Sequence, residues 1–119
     1  MTMVQDLAAA AHDIYRVYCR ATGDYSVLPW KEAPDWQRDL TEHAVRSILE
    51  DPEIEPSSVH REIVAFLRSQ GWVSGERHCP RLKTDPYLVA YLDLPLKERL
   101  RPEFFKTVVL CCIPLVIPE

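Results

Sequence analysis

Apolar side chains recur through the first twenty residues at steps of three and four: Val4, Leu7, Ala8, Ala11, Ile14, Tyr15 and Tyr18. This spacing puts them on one face of a helix and predicts helix from about residue 3 to Ala21, with Gly23 as its stop. The period is lost over GDYSVLPWKEAP, which reads as a turn-rich loop carrying Trp30. It returns at Trp36, Leu40, Ala44, Ile48 and Leu49, a second helix for which Asp35 is the candidate N-cap. The acidic DPEIEPSS is a surface linker. Ser57 or Ser58 then caps a third helix, striped by Val59, Ile63, Phe66 and Leu67 and closed by Gly71.

Beyond Gly71 the pattern changes. From Trp72 to Pro95, Pro and Gly punctuation excludes a long element, and YLVAYLDL offers one short strand or an extended wall. A fourth helix is expected from Glu98 or Glu103 to about Cys112. The class is mostly α: one small domain of about four helices with an irregular Gly-Trp arm and at most short strands. His12 precedes Gly23 by 11 positions and His60 precedes Gly71 by 11. Two pseudo-repeated halves account for this echo, and so does coincidence. The chain divides into an acidic helical leader half (1–55), a second half (56–112) and a tail (113–119).

Composition narrows the function classes. A chain of 119 residues, 47% hydrophobic and 27% charged, supports one core and a single domain. A net charge of −4 argues against a nucleic-acid polymer as partner, since duplex affinity comes mainly from basic residues on phosphates. The charge is uneven: five Lys/Arg face eleven Asp/Glu up to residue 58, but nine face seven after it. The second half is therefore where an anion would sit. Cys19, Cys79, Cys111 and Cys112 show no CxxC spacing and no secretory signal precedes them, so reduced thiols and a cytoplasmic location are expected. The run Val108 to Ile117 is too short to cross a bilayer and contains Pro114, which suggests a buried tail or a partner-facing segment and no membrane.

The candidate chemistry lies in the arm. A large aromatic on a Gly-bounded turn, Trp72, followed by Arg77, Arg81 and Lys83, can hold a flat anionic ligand. The structural alternatives are that Trp72 plugs the core and that the cations are solvated. His60 suits pinning of a helix start through a carbonyl or carboxylate. His78-Cys79 is short of the three or four ligands a zinc site needs, so no metal and no cofactor are expected. Trp30 and Trp36 suit anchoring of the first arm or stacking on a second face of the ligand, and Tyr87 and Tyr91 suit either a cleft wall or core cover. No GxSxG, Walker or HExxH motif is present, and an enzyme is not expected.

His60, Gly71-Trp72, Gly75, Lys83, Pro86, Leu88-Val89, Tyr91 and Leu94-Pro95 fall without a gap into a pattern that resembles the ryanodine-receptor repeat domain. That α-rich module is repeated in those calcium channels and also occurs as stand-alone bacterial and phage proteins. The chain departs from the pattern at Ser74, Glu76 and Asp85. The amino-terminal AHDIYRVYCRATGD and PWKEAPDWQRDL resemble the leader of stand-alone members, so the likeness spans roughly residues 8 to 110. It implies a pocket for an adenine nucleotide, with Trp72 stacking on the base. A purine on an indole face gains roughly 1 to 3 kcal/mol. On this reading Arg77, Arg81 and Lys83 grip phosphate and Tyr91 closes the wall. The expected function is a non-enzymatic sensor or sequestering protein for an adenine nucleotide or an ADP-ribose-type messenger. The rival is a protein-interaction module whose apolar tail VVLCCIPLVIP and tryptophan-bearing arm bury against another chain, giving a homodimer without a ligand.

Overall fold

The computed structural model describes residues 2–116. It is mostly helical: α1 (Met3–Ala21), α2 (Asp35–Glu50), α3 (Pro56–Ser69) and α4 (Leu96–Val116), with single 3-10 turns at Trp30–Glu32 and Tyr91–Asp93. Two strands of two residues each, β1 (Val73–Ser74) and β2 (Thr84–Asp85), pair in parallel within the second arm.

The helix ends follow local chemistry. At the start of α1, the Gln5 N–H donates to Thr2 Oγ1 and the Thr2 N–H donates to Gln5 Oε1, so two orphan donors are satisfied reciprocally. Gly23 and Gly71 follow α1 and α3 at φ 96° and 91°, a conformation that costs an L side chain roughly 1–2 kcal/mol. Each lets the next N–H reach back, Asp24 to the Cys19 carbonyl at 2.8 Å and Trp72 to the Leu67 carbonyl at 3.0 Å.

Other boundaries differ from the expectation. Asp35 is the first residue of α2, not its cap; Pro34 holds that position without a side-chain bond. Ser57 and Ser58 lie inside α3 because Pro56, preset in φ and lacking an N–H, takes the first helical place. The segment YLVAYLDL forms no strand and ends in the 3-10 turn. Helix α4 begins at Leu96 and passes through Pro102 and Pro114. A proline inside a helix costs about 3 kcal/mol. Burial of Phe105, Val108 and Val109 gains about 1.5–3 kcal/mol each, so packing wins over the lost backbone bond. The rest of the tail, residues 117–119, lies outside the described residues.

All four helices feed one core: Leu7, Ala8 and Ala11 from α1, Ala44, Val45 and Ile48 from α2, Val59 from α3, and Phe105, Val108, Val109 and Cys112 from α4. A second, smaller cluster joins Leu67, Trp72 and Leu88, with Trp36, Leu40, Ile63 and Val64 packed on it.

The halves repeat each other's contacts. His12 Nε2 donates to the Leu28 carbonyl and His60 Nε2 to the Val89 carbonyl, both at 2.7 Å. The carbonyl one residue earlier accepts from an arginine of the same helix in each half, Val27 from Arg16 and Leu88 from Arg68. Two residues later, Trp30 and Tyr91 open the 3-10 turns with their rings 5.5 and 6.0 Å from the respective histidines. Pro34 and Pro95 then precede α2 and α4. Arg38 and Arg99, the fourth residues of those helices, each keep a buried Nε without a hydrogen-bond partner. From histidine to ring residue the first half takes 18 positions and the second 31. The surplus accommodates β1 and β2.

Candidate ligand site

The second arm is closed by its own residues. Gly75 lies so near β2 that an added Cβ would come 2.8 Å from the Thr84 Cβ. The Thr84 hydroxyl donates to the Arg77 carbonyl at 2.9 Å. His78 Nδ1 donates to Asp85 Oδ2 at 2.7 Å, and the Tyr87 N–H donates to Asp85 Oδ1. The hydrogen bond to Asp85 raises the His78 pKa above its ordinary value; burial opposes this and the Asp85 charge adds to it.

This closure reassigns most of the expected ligand residues. Trp72 is 2% exposed, with its ring 4.8 Å from Trp36 and stacked 5.8 Å from His78. A base cannot reach a face already covered, so Trp72 is a core residue. Lys83, at φ 54°, turns its Nζ onto the Gln70 carbonyl at 2.7 Å, where an ammonium complements the negative end of α3. Arg77 and Arg81 are exposed on the arm and line no described cavity. Of the five, Tyr91 lines a described cavity and the other four line none of those described.

Three cavities border α3, and the one of about 280 Å³ against α2 carries three carboxylates, Glu50, Asp51 and Glu62, which disfavour an anion. The outer one, about 400 Å³, lies between α3 and the chain at Val89–Tyr91. Ser57, His60, Arg61 and Arg68 line it with the Tyr91 ring, and no carboxylate does. The His60 hook holds the Val89 carbonyl, and the Tyr91 hydroxyl donates to the Arg99 carbonyl at 3.2 Å, so the wall is fixed at both ends. Arg61 is exposed and donates to Ser58 Oγ, while Arg68 donates one Nη2 bond to the Leu88 carbonyl. Most guanidinium donors thus remain for an anion. In the sequence the apolar stripe of α3 is the stronger pattern and overlies these residues. Their signal was the polar stripe on the same helix, Ser57, Arg61 and Arg68, at steps of four and seven.

The inner cavity, about 260 Å³, lies between α2, α3, α4 and the segment Asp85–Leu88. Its charged members are Asp85, Glu98 and Arg101. Arg101 is fully engaged, with Nε 3.1 Å from Glu98 Oε2, Nη2 3.4 Å from Asp24 Oδ2 and Nη1 3.5 Å from the Tyr15 hydroxyl. Burial pushes the Tyr15 pKa up, against the pull of Arg101. Asp24 is held below the usual range: partial burial opposes this, but the bonds from Ser26 and the Arg101 charge outweigh it. Two carboxylates against one committed cation make this cavity a poor seat for phosphate.

Among the described residues no group of His, Cys, Asp and Glu could hold a metal, and no helix is long and apolar enough to cross a membrane. Comparison with protein-family models and with curated proteins finds no match.

Proposed function

We propose that the chain is a non-enzymatic binding module for a small anionic ligand with a flat ring, of the adenine-nucleotide or ADP-ribose type, seated in the outer cavity. The observation that carries this reading is two guanidiniums and an aromatic wall around one cavity with no carboxylate in its lining. Arg61 and Arg68 stand about 10 Å apart along α3 on nearly one face, a span that suits a diphosphate or a phosphate and a ribose. Guanidinium bonds to phosphate are charge-assisted and bidentate, and the Tyr91 ring offers a stacking partner. The nucleotide class comes from the resemblance to the ryanodine-receptor repeat by analogy alone, and its Trp72 stacking does not carry over, because Trp72 is buried. The role that follows is sensing or sequestering a nucleotide messenger in the cytoplasm.

The test is thermal denaturation with ATP, ADP, AMP, ADP-ribose, cyclic ADP-ribose and cyclic dinucleotides, run on the parent, Arg61→Gln and Tyr91→Leu. A ligand at about 100 times its dissociation constant adds roughly 2.7 kcal/mol, several degrees in a domain of this size. The expected result is a rise in the parent that both variants lose while remaining folded. No rise with any member, or equal rises in all three proteins, would overturn the reading.

A second reading, a homodimer or other protein partner, is favoured by Leu92, Leu96 and Leu100, four apart and 79%, 66% and 46% exposed. Native mass measurement across a concentration series separates it from the first.

A further inference from the structure

The inner cavity lies where the two halves meet. Thr41 and Ala44 of α2 line it from one side, and Pro102 and Phe105, which hold the same places in α4, line it from the other. Its wall draws Ala44 and Phe105 from the four-helix core but Leu67 and Leu88 from the smaller arm cluster, so the cavity is the space over which these clusters do not close. Small side chains on α2, opposite an aromatic ring on α4, leave it open.

Its polar groups already have protein partners. The Thr41 hydroxyl donates to the Gln37 carbonyl at 2.8 Å, and His60 Nε2 to Val89. Asp85 accepts from His78 and from the Tyr87 N–H, while Glu98, Arg101 and the Tyr15 hydroxyl satisfy one another. What remains facing the space is Leu40, Ile63, Leu67, Leu88 and Leu94 with the Tyr15, Tyr87 and Phe105 rings. A ligand bringing charge would lose its hydration and find no free counter-charge. A half-open cleft whose polar groups are engaged offers water few partners, and an apolar guest gains dispersion contacts with its lining that water does not.

We propose that the inner cavity is a second ligand site, for an uncharged planar aromatic molecule of two fused rings. A cavity of roughly 150 Å³ lined by Leu, Ile and Phe takes benzene, and 260 Å³ has room for a bicyclic ring. Aromatic edges from Tyr15, Tyr87 and Phe105 favour a flat guest over an aliphatic one. Tyr87, 40% exposed, marks the side of the lining that reaches solvent. The site does not depend on the anion site; α3 separates the two, with His60 and Val64 in the lining of both.

The experiment titrates indole and naphthalene into the labelled full chain and follows backbone amide shifts, with melting temperature alongside. Saturable shifts centred on Ala44, Ile63 and Leu88, with a rise in melting temperature, are expected. Ala44→Phe, which fills the space, should remain folded and abolish both effects, and Arg61→Gln should leave them unchanged. No saturable shifts in the parent, shifts confined to other parts of the molecule, or undiminished binding by folded Ala44→Phe would each overturn the proposal. Should Ala44→Phe fail to fold, the map on the parent decides.

Discussion

All four histidines meet an oxygen, but the oxygens differ in what a proton does to the bond. A carbonyl only accepts, so His12 and His60 must carry hydrogen on Nε2, and that donor persists whether or not the ring is charged. His78 faces the Asp85 carboxylate at 2.7 Å, where protonation turns a hydrogen bond into an ion pair. Its folded pKa lies above the ordinary histidine value of 6.5, so its contribution to stability is fully present below about that pH and is lost as pH rises through the folded value. The His78 side chain is 48% exposed, so solvent screening keeps the effect small. Melting followed between about pH 6 and pH 9 should show a modest decline that Asp85→Asn removes. An unchanged slope in that variant would deny the pairing its role. Trp72 teaches a related lesson about single residues. Its turn and neighbouring cations are local and legible, yet the ring that covers it, Trp36, comes from α2, 36 positions earlier. Nothing local encodes such a contact.

At the level of elements, periodicity was a good guide wherever a helix had one wet face. The bounds of α1 and the glycine stops of α1 and α3 are readable from sequence because amphipathic spacing and φ > 0 both have local causes. The start of α4 is not readable, because Pro102 argues against a helix that only the packing of Phe105, Val108 and Val109 sustains. The outer cavity escaped for another reason: its basic side chains lie on α3 while its aromatic wall lies beyond the arm. What joins them is the hook from His60 to Val89. His60→Ala should cost about 1–3 kcal/mol by leaving a carbonyl without its donor. Hydrogen exchange would show the amides of residues 84–93 opening faster while those of α1 keep their protection. Uniform loosening of both halves would instead mean that the hook serves the whole core.

For the whole molecule, the repeat of hook, 3-10 turn and proline-led helix makes the two halves comparable position by position. The place of Arg61 in the second half is taken by Asp13 in the first, where its Oδ1 accepts the Trp30 N–H at 2.9 Å. One half has closed with a carboxylate the spot that the other holds with a cation, in keeping with the acidic balance before residue 58 and the basic one after it. Asp13→Ala should lower the melting point by an amount equivalent to about 1 kcal/mol and leave nucleotide affinity alone, whereas Arg61→Ala should do the reverse. Melting curves paired with ligand titrations read both; affinity lost on changing Asp13 would refute the contrast. The symmetry of the scaffold also supplies an internal control: the same change made at His12 and at His60 removes the same bond from two places in one molecule, so any difference in outcome reports what surrounds the hook and not the hook itself.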